Sequence, residues 1–172
     1  MGEFYNGLGI VVGVFIGILA GMVISILVAQ IKQWRLERAW LGYFEYEIKL
    51  NVLRIDSWLE ELQRYRNAVN ANNLANYFGY FDLSRFLTVT ANNLLNVGLL
   101  YKHLTFEEIV VLQAASVEFS LVGENFMNTQ IQQNKTSFVQ AVVAQNVDFW
   151  EQKFAQHKQA LNAIATKLGN SR

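Results

Sequence analysis

The sequence predicts an all-α protein in which a single N-terminal transmembrane helix continues into an up-down four-helix bundle. Three observations predict this class. Residues 4–31 contain no charged side chain, the chain contains no proline, and the apolar residues after position 31 recur at helical spacing. We expect an N-terminal segment at 1–31 and a helical domain at 32–172.

Composition excludes several classes of protein. Fourteen basic residues balance fourteen acidic ones, which argues against binding to nucleic acid through a basic surface. The absence of cysteine excludes a disulfide scaffold, a thiolate zinc site and a cysteine nucleophile. A hydrophobic share of 52% excludes intrinsic disorder.

The membrane span is predicted at residues 8–31. These 24 residues would measure about 36 Å as a helix, enough to cross a hydrocarbon core of about 30 Å with a modest tilt. A cleavable signal peptide is the competing interpretation. The run is longer than a signal-peptide core, and no lysine or arginine precedes it, so we expect it to be retained.

The distribution of basic residues predicts the orientation. None precedes the span, whereas Lys32, Arg35, Arg38 and Lys49 follow it. The positive-inside rule then places the N-terminus outside and residues 32–172 in the cytoplasm. Aromatic side chains flank the span and are expected to anchor it at the two lipid–water boundaries: Phe4, Tyr5, Trp34, Trp40 and Tyr43.

Small residues repeat every four positions within the span, as in a glycine zipper. The members of this glycine register are Gly9, Gly13, Gly17, Gly21, Ser25 and Ala29. Small side chains at this spacing let two helix backbones approach closely in lipid. The register therefore predicts packing against another transmembrane helix, either of a different subunit or of a second copy of this chain.

The first bundle helix is predicted at 32–67. Its apolar residues form two heptad series that would face the core: Leu41, Ile48, Ile55, Leu62 and Val69, interleaved with Phe44, Trp58 and Tyr65. Asn51 lies within this seam, where we expect it to be hydrogen-bonded.

An asparagine-rich stretch ends that helix, and an aromatic cluster follows it: Tyr77, Phe78, Tyr80 and Phe81. Two interpretations stay open. The cluster either plugs the core where the chain folds back, or forms a docking surface for a partner or for the membrane boundary.

Three further helices are predicted at 82–103, 106–131 and 137–168. Thr105 and Glu108 form a capping box that opens the third of the four bundle helices. Apolar residues surround that helix from Ile109 to Met127, so we expect it to be the most buried one. Glu118 is expected to be a partly buried, hydrogen-bonded carboxylate.

Chemistry-bearing motifs are scarce. Neither His103 nor His157 has a glutamate three residues before it, as a di-iron bundle requires, and no phosphate-binding or nucleophile motif is present. We expect no catalytic residue, cofactor, metal or small-molecule substrate. The sequence favours an accessory or assembly subunit of a membrane complex, bound to lipid and to other transmembrane subunits. The alternative is a self-associating signalling or effector protein, including a pore-forming one.

Overall fold

The computed structural model describes the backbone of residues 2–137 and 139–170, and the side chains of 14–137 and 139–170. These residues form five α-helices and no strand, which confirms the all-α class. The helices are α1 (Gly2–Asn70), α2 (Val89–Asn96), α3 (Phe106–Glu118), α4 (Leu121–Thr136) and α5 (Gln140–Asn170).

The chain forms two compact units, Met1–Ala39 and Trp40–Arg172, and α1 contributes residues to both. In the first unit, every described side chain from 14 to 36 is exposed. Among the described helices, only α1 is long and apolar enough to cross a membrane.

The heptad prediction for α1 is confirmed in the second unit. Every member of both series is at most 7% exposed, and Asn51 is 2% exposed. The seam contacts α5, where the ring centroids of Trp58 and Phe154 lie 6.1 Å apart. The buried residues of α5 also recur at helical spacing: Val143, Val147, Phe154, Leu161, Ile164 and Leu168. Burial of one apolar stripe on each long helix therefore produces the core.

Helices α1 and α5 run antiparallel. Asp56 of α1 forms an ion pair with Lys158 of α5. Ten residues later in α1, Arg66 pairs with Asp148, which lies ten residues earlier in α5. The register is therefore constant along the two helices.

The third predicted bundle helix, 106–131, is interrupted. Helix α3 ends at Glu118, and α4 begins after Ser120, whose hydroxyl oxygen accepts a hydrogen bond from the Gly123 backbone N–H. At the break, the side chain of Phe119 is buried in the core, and its ring centroid lies 5.1 Å from that of Trp58. The capping box at Thr105 is confirmed.

The predicted helix at 82–103 is wrong. The chain instead forms short 3₁₀ turns, Leu83–Arg85 and Leu100–Lys102, on either side of the eight-residue α2. Phe81, Leu83 and Phe86 are all buried, and this spacing fits no single helix face. Burial of these three side chains in the core therefore stabilises a non-helical backbone in this segment.

Residues 77–88, which we call the strap, consequently have little regular structure. They run along α1 where the second bundle helix was expected, from Glu61 beside Tyr77 to Asn51 beside Leu87. The predicted up-down four-helix bundle is not confirmed, because this element is not a bundle helix.

Candidate interaction surfaces

The glycine register is open along its described part. Gly17, Gly21, Ser25 and Ala29 are all exposed, and no atom lies within 4 Å of a Cβ placed on either glycine. Gly9 and Gly13 lie outside the residues whose side chains are described. Nothing in the described chain fills the surface that the small residues leave.

The expected boundary anchors are exposed where they are described. Trp34 is 58% exposed, and the guanidinium carbon of Arg38 lies 5.2 Å from its ring centroid. In the second unit, Trp40 and Tyr43 pack edge to face with ring centroids 6.0 Å apart. Phe4 and Tyr5 lie outside the residues whose side chains are described. The described rings have the amphipathic character of boundary residues.

The aromatic cluster of the strap divides into two buried and two exposed rings. Tyr77 and Phe81 are buried, so these two side chains belong to the core rather than to a docking surface. Phe78 is 84% exposed, and the ammonium group of Lys135 lies 5.6 Å from its ring centroid. Tyr80 is exposed as well, although its hydroxyl donates to Glu124.

Side chains of α1 hold the strap. The Asn51 amide donates to the carbonyl of Leu87 at 2.7 Å and accepts from its backbone N–H at 2.8 Å. Trp58 donates from Nε1 to the Asp82 carboxylate at 2.8 Å. Just beyond the strap, the Glu47 carboxylate accepts hydrogen bonds from the backbone N–H groups of Thr90 and Ala91, in the first turn of α2. These bonds supply the partners that an irregular backbone would otherwise lack.

Helix α4 holds the strap from the other side. Asn128 donates to the carbonyl of Phe81 at 2.8 Å and accepts from its N–H at 3.0 Å. Glu124 accepts hydrogen bonds from the Ser84 backbone and from the Tyr80 hydroxyl. Burial acts to raise the pKa of Glu124, but these hydrogen bonds outweigh it and lower the pKa.

The prediction that the helix from Ile109 to Met127 is the most buried one is wrong. Its inward face is buried, but its outward face exposes large apolar side chains: Val110, Val117, Leu121, Val122 and Phe126. Residues 109–134 contain only two charged side chains, and both are bonded within the chain. Between residues 109 and 134, the outward face of α3 and α4 therefore exposes apolar and neutral polar side chains, and its two carboxylates are both bonded within the chain.

A groove on α4 adjoins an aromatic cluster on α5. Its volume is about 310 Å³, and it is lined by Asn125, Phe126, Thr129, Gln130 and Gln133. Phe126 and Phe149 are both about half exposed. Their ring centroids lie 6.3 Å and 5.6 Å from that of Trp150. The groove thus combines neutral hydrogen-bonding groups with exposed rings.

Glu118 is the centre of a polar cluster that joins α3 to α5. Its carboxylate pairs with the ammonium group of Lys153 and lies 2.8 Å from Nε2 of His157. Burial acts to raise the pKa of Glu118, but hydrogen bonds from Lys153 and His157 outweigh it and lower the pKa. The cluster fixes the end of α3 on α5, as expected for a structural carboxylate.

Metal-binding side chains do not gather in the described part of the chain. No group of three or more histidine, aspartate or glutamate residues there is placed to hold an ion. The described residues do present exposed surfaces, along the glycine register and on α3 and α4. No protein-family model, curated protein or solved structure matches the chain.

Proposed function

We propose that the chain is a non-catalytic, single-pass membrane protein that acts as an accessory or assembly subunit of a larger membrane complex. Its N-terminus is outside, and residues 32–172 are in the cytoplasm. The span docks on transmembrane helices of the complex, and the helical domain contacts the cytoplasmic part of the same complex.

The observation that carries this proposal is the exposure of the described apolar part of α1, residues 14–31. Fifteen of the 24 residues from 8 to 31 are leucine, isoleucine, valine or phenylalanine, and none of those described is covered by the rest of the chain. Each favours insertion by about 0.3–0.6 kcal/mol, or about 5–9 kcal/mol together. A lipid bilayer supplies the cover that the chain itself lacks.

The open glycine register supports a protein partner within the bilayer. Leucine spans a membrane more favourably than glycine, so a passive anchor has no need of this pattern. Small residues in one register instead allow close backbone contact and the dispersion and C–H hydrogen-bond interactions that accompany it.

The helical domain adds a second surface on the cytoplasmic side. Val117, Leu121 and Val122 are each more than 60% exposed, in a stretch whose two carboxylates are both bonded within the chain. Contiguous apolar surface of this kind is typical of protein–protein contacts, whose centres are depleted of charge.

The alternative function is that of a self-associating signalling or effector protein. The same glycine register suits two copies of one helix, since small residues on both partners permit the closest approach. In that case the helical domain transmits a state of the oligomer rather than holding a complex together.

The double variant Gly13→Leu with Gly17→Leu tests the proposal. It fills the register while keeping the span apolar, and Val12→Leu with Ile16→Leu is the matched control outside the register. After gentle extraction, we expect the glycine variant alone to separate from unlike subunits. Dissociation of a homo-oligomer to monomer would favour the alternative, and no change in either would refute the interface.

A further inference from the structure

Helix α1 carries a basic face directly after the predicted span. Lys32, Arg35 and Arg38 are all exposed and recur every three residues. With 3.6 residues per turn, they occupy an arc of about 120° around the helix axis. Glu37 is the only acidic residue of the sequence between positions 32 and 38, and this spacing places it almost opposite the centre of that arc. The three positive charges therefore share one side of the helix, away from the carboxylate.

Two of these cations lack a partner in the chain. Within the described residues, neither Lys32 nor Arg35 forms a hydrogen bond or an ion pair. Glu37 accepts a hydrogen bond from the side-chain amide of Gln33 at 3.2 Å. Arg38 has a contact of its own, because its guanidinium carbon lies 5.2 Å from the ring centroid of Trp34. Lys32 and Arg35 therefore need a counter-charge from outside the chain.

The position of these side chains along α1 matches the headgroup layer of a bilayer. Lys32 follows Ile31, the last residue of the predicted span, and Arg35 lies about 6 Å beyond Ile31 along the axis. The headgroup layer on each side of the hydrocarbon core is about 5–7 Å thick. Trp34, which is 58% exposed, has the amphipathic ring typical of the same layer. A chain inserted through this span would hold both cations at the level of the lipid phosphates.

Charge complementarity selects the class of lipid. A zwitterionic headgroup brings its own ammonium group, which competes with the protein for the phosphate. An anionic headgroup carries a net negative charge, so it gains from both cations. The planar guanidinium of Arg35 can donate two parallel hydrogen bonds to a phosphate, and Lys32 adds a point charge beside it. The basic face therefore fits an anionic phospholipid better than a zwitterionic one.

We propose that Lys32 and Arg35 bind the phosphate of an anionic phospholipid in the leaflet at the C-terminal end of the span. The inference rests on the proposed membrane span and names the lipid that the end of the span takes. It involves neither the glycine register nor a partner subunit. A failure to bind this lipid would therefore leave the proposed subunit role standing.

The test uses the full chain in phosphatidylcholine nanodiscs that contain a small share of brominated lipid, because bromine quenches tryptophan fluorescence on contact. Brominated phosphatidylglycerol and brominated phosphatidylcholine are compared at equal mole fractions. The variant is Lys32→Gln with Arg35→Gln, since glutamine keeps a high helix propensity. The matched control, Lys49→Gln with Arg64→Gln, removes the same charge from side chains of the second unit that are 62% and 69% exposed. Trp34→Phe identifies the tryptophan that reports.

Each basic residue at an anionic surface contributes about a fivefold preference for anionic lipid. We expect the wild type and the matched control to bind phosphatidylglycerol at least fivefold more strongly than phosphatidylcholine. The Lys32 and Arg35 variant should lose this preference, and Trp34→Phe should remove the difference in quenching. About 1 M salt should weaken the preference, because it screens exposed charges.

Two results would overturn this inference alone: equal quenching of the wild type by both lipids, or an unchanged preference in the Lys32 and Arg35 variant. Loss of the preference on addition of inorganic phosphate, relative to chloride of the same ionic strength, would also overturn it, since the site would then take free phosphate. Absence of quenching by either lipid would refute the membrane span as well.

Discussion

The side-chain amide of Asn51 forms both of its strap hydrogen bonds with a single residue, Leu87, which follows it by 36 positions in the chain. The two bonds join the buried seam of α1 to the end of the strap. Asn51 therefore acts in place of the helix–helix contacts that a regular bundle would make at this level.

Replacement of Asn51 by alanine should destabilise the protein. Both backbone groups of Leu87 would lose their partner in a partly buried setting, so we expect a total loss of about 1–3 kcal/mol. The free energy of unfolding, from urea denaturation of the full chain in detergent, measures the loss. Asn93→Ala, on an exposed position of α2, should change it by less than about 0.5 kcal/mol. Equal effects of the two substitutions would contradict the role of Asn51.

Gly123→Ala should destabilise the junction between α3 and α4. A Cβ at Gly123 would lie only 1.9 Å from the carbonyl oxygen of Glu118, which is backbone and cannot swing away. We expect a loss of about 1–3 kcal/mol, as for other overpacked sites, seen as a lower midpoint of thermal unfolding. Gly169→Ala is the control, since its Cβ would meet Glu45 at an ordinary 3.6 Å. An unchanged midpoint for Gly123→Ala would mean that the junction is not this tight.

The cluster around Glu118 predicts a dependence of stability on pH. The pKa of Glu118 is lowered from 4.5, so its contribution is present above about pH 4.5 and is lost as pH falls through the lowered value. Protonation would leave Lys153 and His157 facing each other without a counter-charge. Glu118→Gln should therefore cost about 1–2 kcal/mol near neutral pH, and this difference should vanish in acid. A difference independent of pH would contradict the ion pair.

The absence of native cysteine permits a direct test of orientation. In intact cells, a membrane-impermeant maleimide should label Asn6→Cys. It should label Gln145→Cys, an exposed position on α5, only after permeabilisation. The reverse pattern would overturn the positive-inside assignment. It would also place Asn134-Lys135-Thr136, which has the sequence of an N-glycosylation acceptor, on the outer side. Asn134 lies in α4 and donates a hydrogen bond to the Tyr65 hydroxyl.

Elements with strong local signals were predictable. The heptads of α1 and the capping box at Thr105 both follow from spacing that a single helix can satisfy. The hydrogen bonding of Asn51 was predictable as well, because a polar side chain in an apolar seam needs a hydrogen-bond partner. The sequence did not identify that partner, since Leu87 is remote in the chain.

The strap and the break at Phe119 depend on tertiary contacts. The spacing of apolar residues along the chain therefore could not predict them. At the break, the apolar residues continue the spacing of α3. In the strap, Asn128 and Glu124 bond the backbone of Phe81 and Ser84, and both partners are remote in the chain. Ser120 followed by Gly123 was the local signal of a new helix start. The expected burial of α3 and α4 was wrong for a related reason, because an apolar sequence does not show which of its side chains face the core and which stay exposed.

Native mass spectrometry of the protein, extracted from its own membrane in mild detergent, tests the central proposal most directly. A membrane subunit should appear with unlike chains at a fixed stoichiometry. These chains should be lost from the variant Gly13→Leu with Gly17→Leu and kept by Val12→Leu with Ile16→Leu. Multiples of its own 19.7 kDa mass would favour the self-associating alternative. A bare monomer would contradict both.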